Sequence, residues 1–367
     1  MKNLFDFTIV GAGLFGSIFA REIAEQGKTA LVVDQRDHIG GNCYTEKIEG
    51  IDVHKYGPHI FHTNNKGVWN YVNRFSKFNN YQHRIKVNYD DRMYSFPINL
   101  MTLYQIWGIK NPQEAIRKLE EVRVPIKSPR NLEEWIISQV GTELYEIFVK
   151  GYTEKQWGKD PSELPSSIIR RIPIRTTYND CYFDDEFQGI PSNGYTRMFE
   201  NILDHKNIKI ELGVNFFDSK KKLTNVSNKL VYTGKIDEFF NYKYGELEYR
   251  SLVFKTNILN GDFQGSSIVN YTHKDVPFTR IIEHKHFTKL NSPVTVVTRE
   301  YPDKYEIGKT PYYPVRDEKN LKIYNKYELK GKKTKVIFGG RLGTYQYYDM
   351  HQIVAQAITM ASKHKNE

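Results

Sequence analysis

Apolar positions along this chain change period several times, and each change predicts a different kind of element. Phe5 to Val10 is a short apolar run suited to a buried strand, and Phe15, Phe19 and Ile23 then share a helical face with Leu14 and Ile18 alongside. Gly27 stands where a left-handed helix terminator belongs, and Thr29 to Val33 reads as a second buried strand. From about Lys66 to Gly158 the pattern is largely helical. Within it Asn131 is a cap followed by Glu133 and Glu134, and Trp135, Ile136, Val140, Leu144 and Phe148 carry an apolar stripe toward Gly151. Arg170 to Gln188, and again about Glu246 to Val315, alternate β-branched or aromatic residues with polar ones, the period of antiparallel strands. Asn207 to Leu212, Lys229 to Thr233 and Lys335 to Phe338 read as strands returning to the first sheet, and Asp349 caps a last helix with Met350, Ile353, Val354, Ala357 and Ile358 on one face. The expectation is an α/β chain with three units. A discontinuous first unit takes 1–80, 190–245 and 316–367; a helical insert takes 81–165; an antiparallel-sheet unit takes 166–189 and 246–315.

The junction between the first strand and helix reads Gly11-Ala12-Gly13-Leu14-Phe15-Gly16. Glycine at these spacings lets the chain turn sharply, lets backbone approach a pyrophosphate and lets the helix pack on its strand. Asp34 closes the second strand, where a carboxylate can accept from a ribose diol and disfavours a 2′-phosphate. Strand, glycines, helix, strand and acid in that order predict a Rossmann-like nucleotide-binding unit. The stretch Arg36-Asp37-His38-Ile39-Gly40-Gly41-Asn42 resembles the second glycine pair of flavoproteins related to glutathione reductase and amine oxidase. By that resemblance the ligand is FAD.

Composition narrows the classes. The 367 residues are too many for one typical core, and no uncharged apolar run approaches the length that spans a bilayer. The opening Met1-Lys2-Asn3-Leu4-Phe5-Asp6 lacks a signal peptide's apolar core, so a soluble, cytoplasmic protein without membrane insertion is expected. Cys43 and Cys181 are too few for a disulfide framework or a zinc cage. The net charge of +10 lies much in short clusters such as Lys220 to Lys222 and Lys332 to Lys335, without a nucleic-acid-binding motif, and no nucleic-acid partner is expected. A basic surface also attracts a doubly charged nucleotide-sugar. The 26 tyrosines cluster as Tyr312-Tyr313 and Tyr345-Gln346-Tyr347-Tyr348, and tyrosines near arginine make pockets that stack bases and donate to phosphates.

Longer motifs are more restrictive. His54-Lys55-Tyr56-Gly57-Pro58-His59-Ile60-Phe61-His62-Thr63, Gly151-Tyr152-Thr153-Glu154-Lys155-Gln156-Trp157-Gly158, Arg170 to Pro173, Arg280 to His286, and Tyr345 to His351 together resemble the prokaryotic UDP-galactopyranose mutase family over nearly the whole chain. The resemblance implies a Rossmann-like FAD-binding domain, a helical insert and an antiparallel substrate sheet. It implies isomerisation between UDP-galactopyranose and UDP-galactofuranose, with reduced flavin N5 attacking the anomeric carbon, UDP leaving and no net redox change. Such a reaction asks the protein for orientation and for cations on the pyrophosphate leaving group.

On that resemblance Arg171, Arg280 and His62 are the catalytic candidates. Tyr152, Trp157, Tyr182, Arg250, Tyr313, Tyr347 and His59 join both arginines as substrate contacts. The cofactor set is Gly11, Gly13, Leu14, Phe15, Gly16, Asp34, Gly40, Gly41, Asn42, His59, Arg341, Tyr348, Asp349 and Met350. Arg171 lies in Ser162 to Ile172, which resembles the family's mobile loop over substrate. His59 with His62 has a metal-like spacing, but no Cys or carboxylate cluster completes a shell nearby, and no metal is expected. By the same resemblance, His59 stands where some relatives that also accept the N-acetylated sugar carry Arg, which favours UDP-galactose and leaves UDP-N-acetylgalactosamine as the alternative. An external reductant such as NAD(P)H and a homodimer are family expectations. The rival is a flavin oxidoreductase of the amine oxidase type; a glutathione-type reductase would carry a second dinucleotide fingerprint and a redox cysteine pair.

Overall fold

A computed structural model describes residues 4–365; Met1 to Asn3, the start of the opening segment expected to lack a signal peptide's core, and residues 366 and 367 lie outside the described residues. Five parallel strands form the first sheet in the order Val336–Phe338, Ser227–Tyr232, Phe5–Val10, Ala30–Asp34, Ile208–Leu212. Phe5–Val10 takes the centre, with Phe7, Thr8 and Ile9 buried, as expected of a strand covered on both faces. The helix Leu14–Glu25 leaves it across the glycine turn and packs on the terminal helix Met350–Ser362. That last helix begins after Asp349, whose backbone N–H donates to Gln352 Oε1 at 2.9 Å. The strands expected near 207–212, 229–233 and 335–338 all join this sheet, giving the α/β, Rossmann-like arrangement read from the sequence.

The second sheet has seven strands, in the order Tyr313–Pro314, Tyr249–Asn260, Val294–Lys304, Arg280–Glu283, Ile268–Tyr271, Ile85–Tyr89, Arg92–Phe96. It departs from expectation twice. One pairing, Ile268–Tyr271 with Ile85–Tyr89, is parallel, so the sheet is mixed. Its last two strands come from the segment read as helical. Ile85, Val87 and Tyr89 do alternate, and Asp90 and Asp91 both adopt left-handed φ, 53° and 56°, closing a two-residue hairpin turn.

Arg170 to Gln188 is also not the strand run expected. Only Phe187–Gly189 is a strand, paired with Phe61–Thr63, while the remainder is irregular. Pro173 removes one donor, and other backbone donors reach different elements: Arg175 N–H to Ile98 O, Tyr182 N–H to His83 O. The Arg175 side chain further ties Asn179 O, Cys181 O and Asp184 into a closed loop.

The helical insert is present as Leu100–Trp107, Pro112–Val122 and Leu132–Tyr145, the last capped by Asn131 accepting from Glu134 N–H at 2.8 Å. It continues through a π-helical turn, Glu146–Lys150, into the helix Gly151–Trp157. A π turn widens a helix locally and turns its later side chains, here Tyr152 and Trp157, relative to the earlier ones. Among the described residues no helix is long and apolar enough to cross a membrane.

Candidate active site

The glycine turn forms one wall of a cavity of about 400 Å³, lined by Gly11, Gly13, Leu14, Phe15, Gly16, Asp34, Gly40, Gly41, Asn42, His59, Arg341, Tyr348 and Met350. All but one of the cofactor candidates are thus brought together; Asp349 stands on the wall of a second cavity instead. Gly11 and Gly41 adopt φ of +107° and +56°, and a Cβ on Gly41 would lie 2.9 Å from Gly13 Cα. Buried Asp34 holds the turn: one carboxylate oxygen accepts from Ala12 N–H at 2.8 Å and the other from Arg36 N–H at 2.9 Å. Arg36 lies over the Tyr56 ring at 4.3 Å and donates to Asn42 Oδ1 at 2.9 Å. Its Nη1 is buried without a partner in the protein, although Arg36 lines the cavity. An orphaned cationic donor beside a glycine cradle at a helix start fits a pyrophosphate-bearing dinucleotide.

A second cavity of about 700 Å³ shares Asn42, His59, Tyr312, Arg341 and Met350 with the first. The helix Gly151–Trp157 supplies Tyr152, Gln156 and Trp157, while Arg171, Tyr182, Arg280, Tyr313, Tyr347 and His62 enter from five other segments. Arg280 opens its strand and lies in register between Asn270 on one neighbour and Glu300 on the other. Its Nε donates to Glu300 Oε1 at 3.0 Å, and Glu300 is only 1% exposed. One side of the guanidinium is therefore fixed and partly neutralised. Arg171 lies 5.4 Å and Arg341 4.6 Å from the centre of the Tyr347 ring, and Arg341 also donates to Tyr348 O at 2.9 Å. Tyr347, Tyr313 and Trp157 follow one another with centroids 5.9 and 6.1 Å apart.

Electrostatics keep these groups in defined states. Burial pushes the Tyr152 hydroxyl up to about 12 against the opposing pull of Arg280, so it remains a donor. Burial and then Arg341 push His59 down to about 4, so its imidazole is neutral near pH 7. His62 stacks on Phe183 at 3.6 Å, and its Nδ1 donates to Asp185 Oδ2 at 2.5 Å. Gln156 Oε1 and Asn270 Oδ1 are buried acceptors on this cavity with no protein partner, and they suit a ligand bearing N–H or O–H groups.

Arg250 is the substrate candidate that the fold places elsewhere. Its Nε donates to Gln156 O at 3.0 Å and its Nη2 to Lys155 O at 3.3 Å, which closes the end of the helix Gly151–Trp157, and neither cavity wall includes it. Asn270, Asp185 and Glu300 escaped sequence reasoning. They are isolated polar residues with no local motif, and only strand register or chain folding brings them to Arg280 and His62. Tyr312 and Arg36 had a signal, lying inside the tyrosine pair and the glycine-pair stretch.

The family model for UDP-galactopyranose mutase matches residues 147–347, and one for an NAD(P)-binding Rossmann-like domain matches residues 9–75. A Klebsiella pneumoniae protein named "Probable UDP-galactopyranose mutase" is 44% identical over 97% of this chain and 93% of its own length. An Escherichia coli dTDP-fucopyranose mutase is 43% identical over 96% of both chains. A crystal structure of reduced UDP-galactopyranose mutase, 15% identical, shares the fold with a TM-score of 0.78 over 99% of this chain and 94% of that one. Identity of this extent along nearly the full length leaves one assignment: the chain belongs to the UDP-galactopyranose mutase family, enzymes of the isomerase class.

Proposed function

We propose that this enzyme interconverts UDP-galactopyranose and UDP-galactofuranose, with FAD seated in the glycine-lined cavity and active when reduced. One observation carries the reading: two cavities meet at His59, Arg341 and Met350, one suited to a pyrophosphate-bearing cofactor, the other holding Arg171 and Arg280 for a second, separately bound anion. When bound and reduced, FAD supplies the nucleophile for the anomeric carbon. The protein's own part is to hold and release UDP. Arg280, braced by Glu300, and Arg171 bind the pyrophosphate and offset the charge that develops as the glycosidic C–O bond breaks. Tyr152, Tyr182, Tyr313 and Tyr347 donate to its oxygens, and Trp157 packs near the uridine. His59 and His62 border the sugar, the second oriented by Asp185.

The reading includes an external reductant such as NAD(P)H, a cytoplasmic location and a homodimer. A second reading has a specific basis, because the dTDP-fucopyranose mutase is nearly as similar as the Klebsiella protein. The deciding experiment incubates holoenzyme with UDP-galactofuranose, with and without dithionite, and resolves products by anion exchange. Conversion only under reduction supports the proposal. Fully reduced holoenzyme that leaves this substrate intact, but turns over dTDP-fucopyranose or UDP-N-acetylgalactosamine, replaces the substrate. Net oxidation of a sugar or an amine would favour the amine oxidase type.

A further inference from the structure

Lys155 lies in the helix that carries Tyr152 and Trp157, yet it takes no part in either cavity wall. Its Nζ sits among four backbone carbonyl oxygens: Tyr271 at 2.7 Å, His273 at 2.9 Å, Val276 at 3.0 Å and Phe278 at 3.0 Å. Tyr271 ends the strand Ile268–Tyr271 and the other three lie in its connection to Arg280–Glu283, so this loop is wound round a single cation. An ammonium has three N–H bonds for these four acceptors, and the converging carbonyl dipoles repel one another unless positive charge stands between them. Rings of backbone carbonyls at such distances replace the hydration shell of a small monovalent cation.

The loop is held to the helix at its near end as well. Gly151 approaches so closely that a Cβ there would lie 2.3 Å from Thr272 O, and Thr272 Oγ1 donates to Ile147 O at 2.6 Å. The far end, Phe278, is two residues from Arg280. One ammonium thus ties the helix presenting Tyr152 and Trp157 to the segment presenting Arg280.

We propose that Lys155 is a positioning residue that sets Arg280 against Tyr152 and Trp157, and that its carbonyl cage is a monovalent-cation site filled by a tethered ammonium. The affinity part of its test rests on the nucleotide-sugar reading above. Holoenzyme, Lys155→Ala and Lys155→Met are titrated calorimetrically with UDP at constant ionic strength in ammonium, potassium or tetramethylammonium chloride. Hydrogen exchange of amides 271–283 is followed in the same salts. The Ala variant is expected to bind UDP about tenfold more weakly in tetramethylammonium and to recover in ammonium and potassium. The Met variant, filling the space without donors, stays weak and exchanges fast in every salt, while the unsubstituted enzyme is indifferent to the cation.

A folded Met variant with unchanged UDP affinity and exchange overturns the proposal, as does an Ala variant impaired equally in all three salts. If the Ala variant does not fold in tetramethylammonium, its refolding yield decides: higher in ammonium supports the cage, no salt dependence removes it. Failure of the unsubstituted enzyme to bind UDP would sink the substrate reading alone, since the exchange of 271–283 still decides the role of Lys155.

Discussion

Arg280 reaches its cavity with Glu300 on one side, whereas Arg250 is turned onto the carbonyls of Gln156 and Lys155. The difference separates an arginine facing the cavity from one that ties down a helix end. Arg171→Ala is expected to reduce turnover by about a hundredfold or more, because one of the cations on the leaving group is lost, while flavin absorbance of the purified protein stays normal. Near-normal turnover of the reduced variant would remove Arg171 from the mechanism. Arg250→Ala should instead lower stability by about 2 kcal/mol, the scale of two charge-assisted hydrogen bonds, and change UDP affinity less than about threefold. Denaturant midpoints and UDP titrations of the folded variant check both halves. Glu300→Gln takes the counter-ion from half-buried Arg280, so it should cost about 2 kcal/mol, the scale of a charge-assisted hydrogen bond, and weaken UDP binding as well. A midpoint unchanged by Glu300→Gln would mean that the pair carries no net stability.

At the scale of elements, the strand–turn–helix opening was legible because its residues answer to neighbours within the same short segment. The two glycines at its middle and end do different work. A Cβ on Gly16 would stand 1.9 Å from Gly11 O, so Gly16→Ala forces the helix Leu14–Glu25 off its strand and should yield little soluble protein. A Cβ on Gly13 meets only Gly41 Cα, at 3.8 Å, and enters the cradle rather than the core. Gly13→Ala is therefore expected to fold with a near-native melting temperature and to lose bound flavin on gel filtration; retention of full flavin would show that the pyrophosphate lies elsewhere. Illegible elements failed for equally local reasons. The hairpin at 85–96 alternates over only a few residues and turns on two aspartates in left-handed geometry, an unusual choice where Asn-Gly is the common signal. The stretch 170–186 has strand-like composition, but its backbone donors go to the carbonyls of His83 and Ile98 and to the Asn179 side chain.

Over the whole molecule, a set of buried histidines makes folding sensitive to acid. His54 Nδ1 accepts from His59 N–H at 3.1 Å, and His284 Nδ1 accepts from His54 N–H at 3.3 Å while its Nε2 donates to Thr298 Oγ1 at 2.9 Å. Both imidazoles must be neutral to accept. Burial pushes His284 and His83 down to about 3 from the free value of 6.5, and His54 is lowered by the same cause. The unfolded chain therefore takes up protons first as pH falls. Their contribution is complete above about pH 6.5 and is progressively lost toward about pH 3. Melting temperature measured across that window should fall steadily, and His284→Asn, which keeps an acceptor for His54 N–H but cannot titrate, should be less stable at pH 7 with a shallower acid slope. An identical slope would exclude His284 as a source of the loss.

What depends on short separations is written in the local sequence: the parallel α/β opening, the glycine cradle, the cap at Asn131, and the long motifs from which the family and most cavity residues could be read. Which polar groups face one another across the sheet and the loops is set by contacts between distant segments. Arg280 meets Glu300 and Asn270 because three strands align in one register, His62 meets Asp185 because an irregular loop folds back, and Arg250 is drawn from the cavity by carbonyls at a helix end. A one-residue slip in register would turn Arg280, Glu300 or Asn270 to the opposite face without changing any local propensity. Such choices are fixed by packing between segments far apart in the chain, and no local pattern records them.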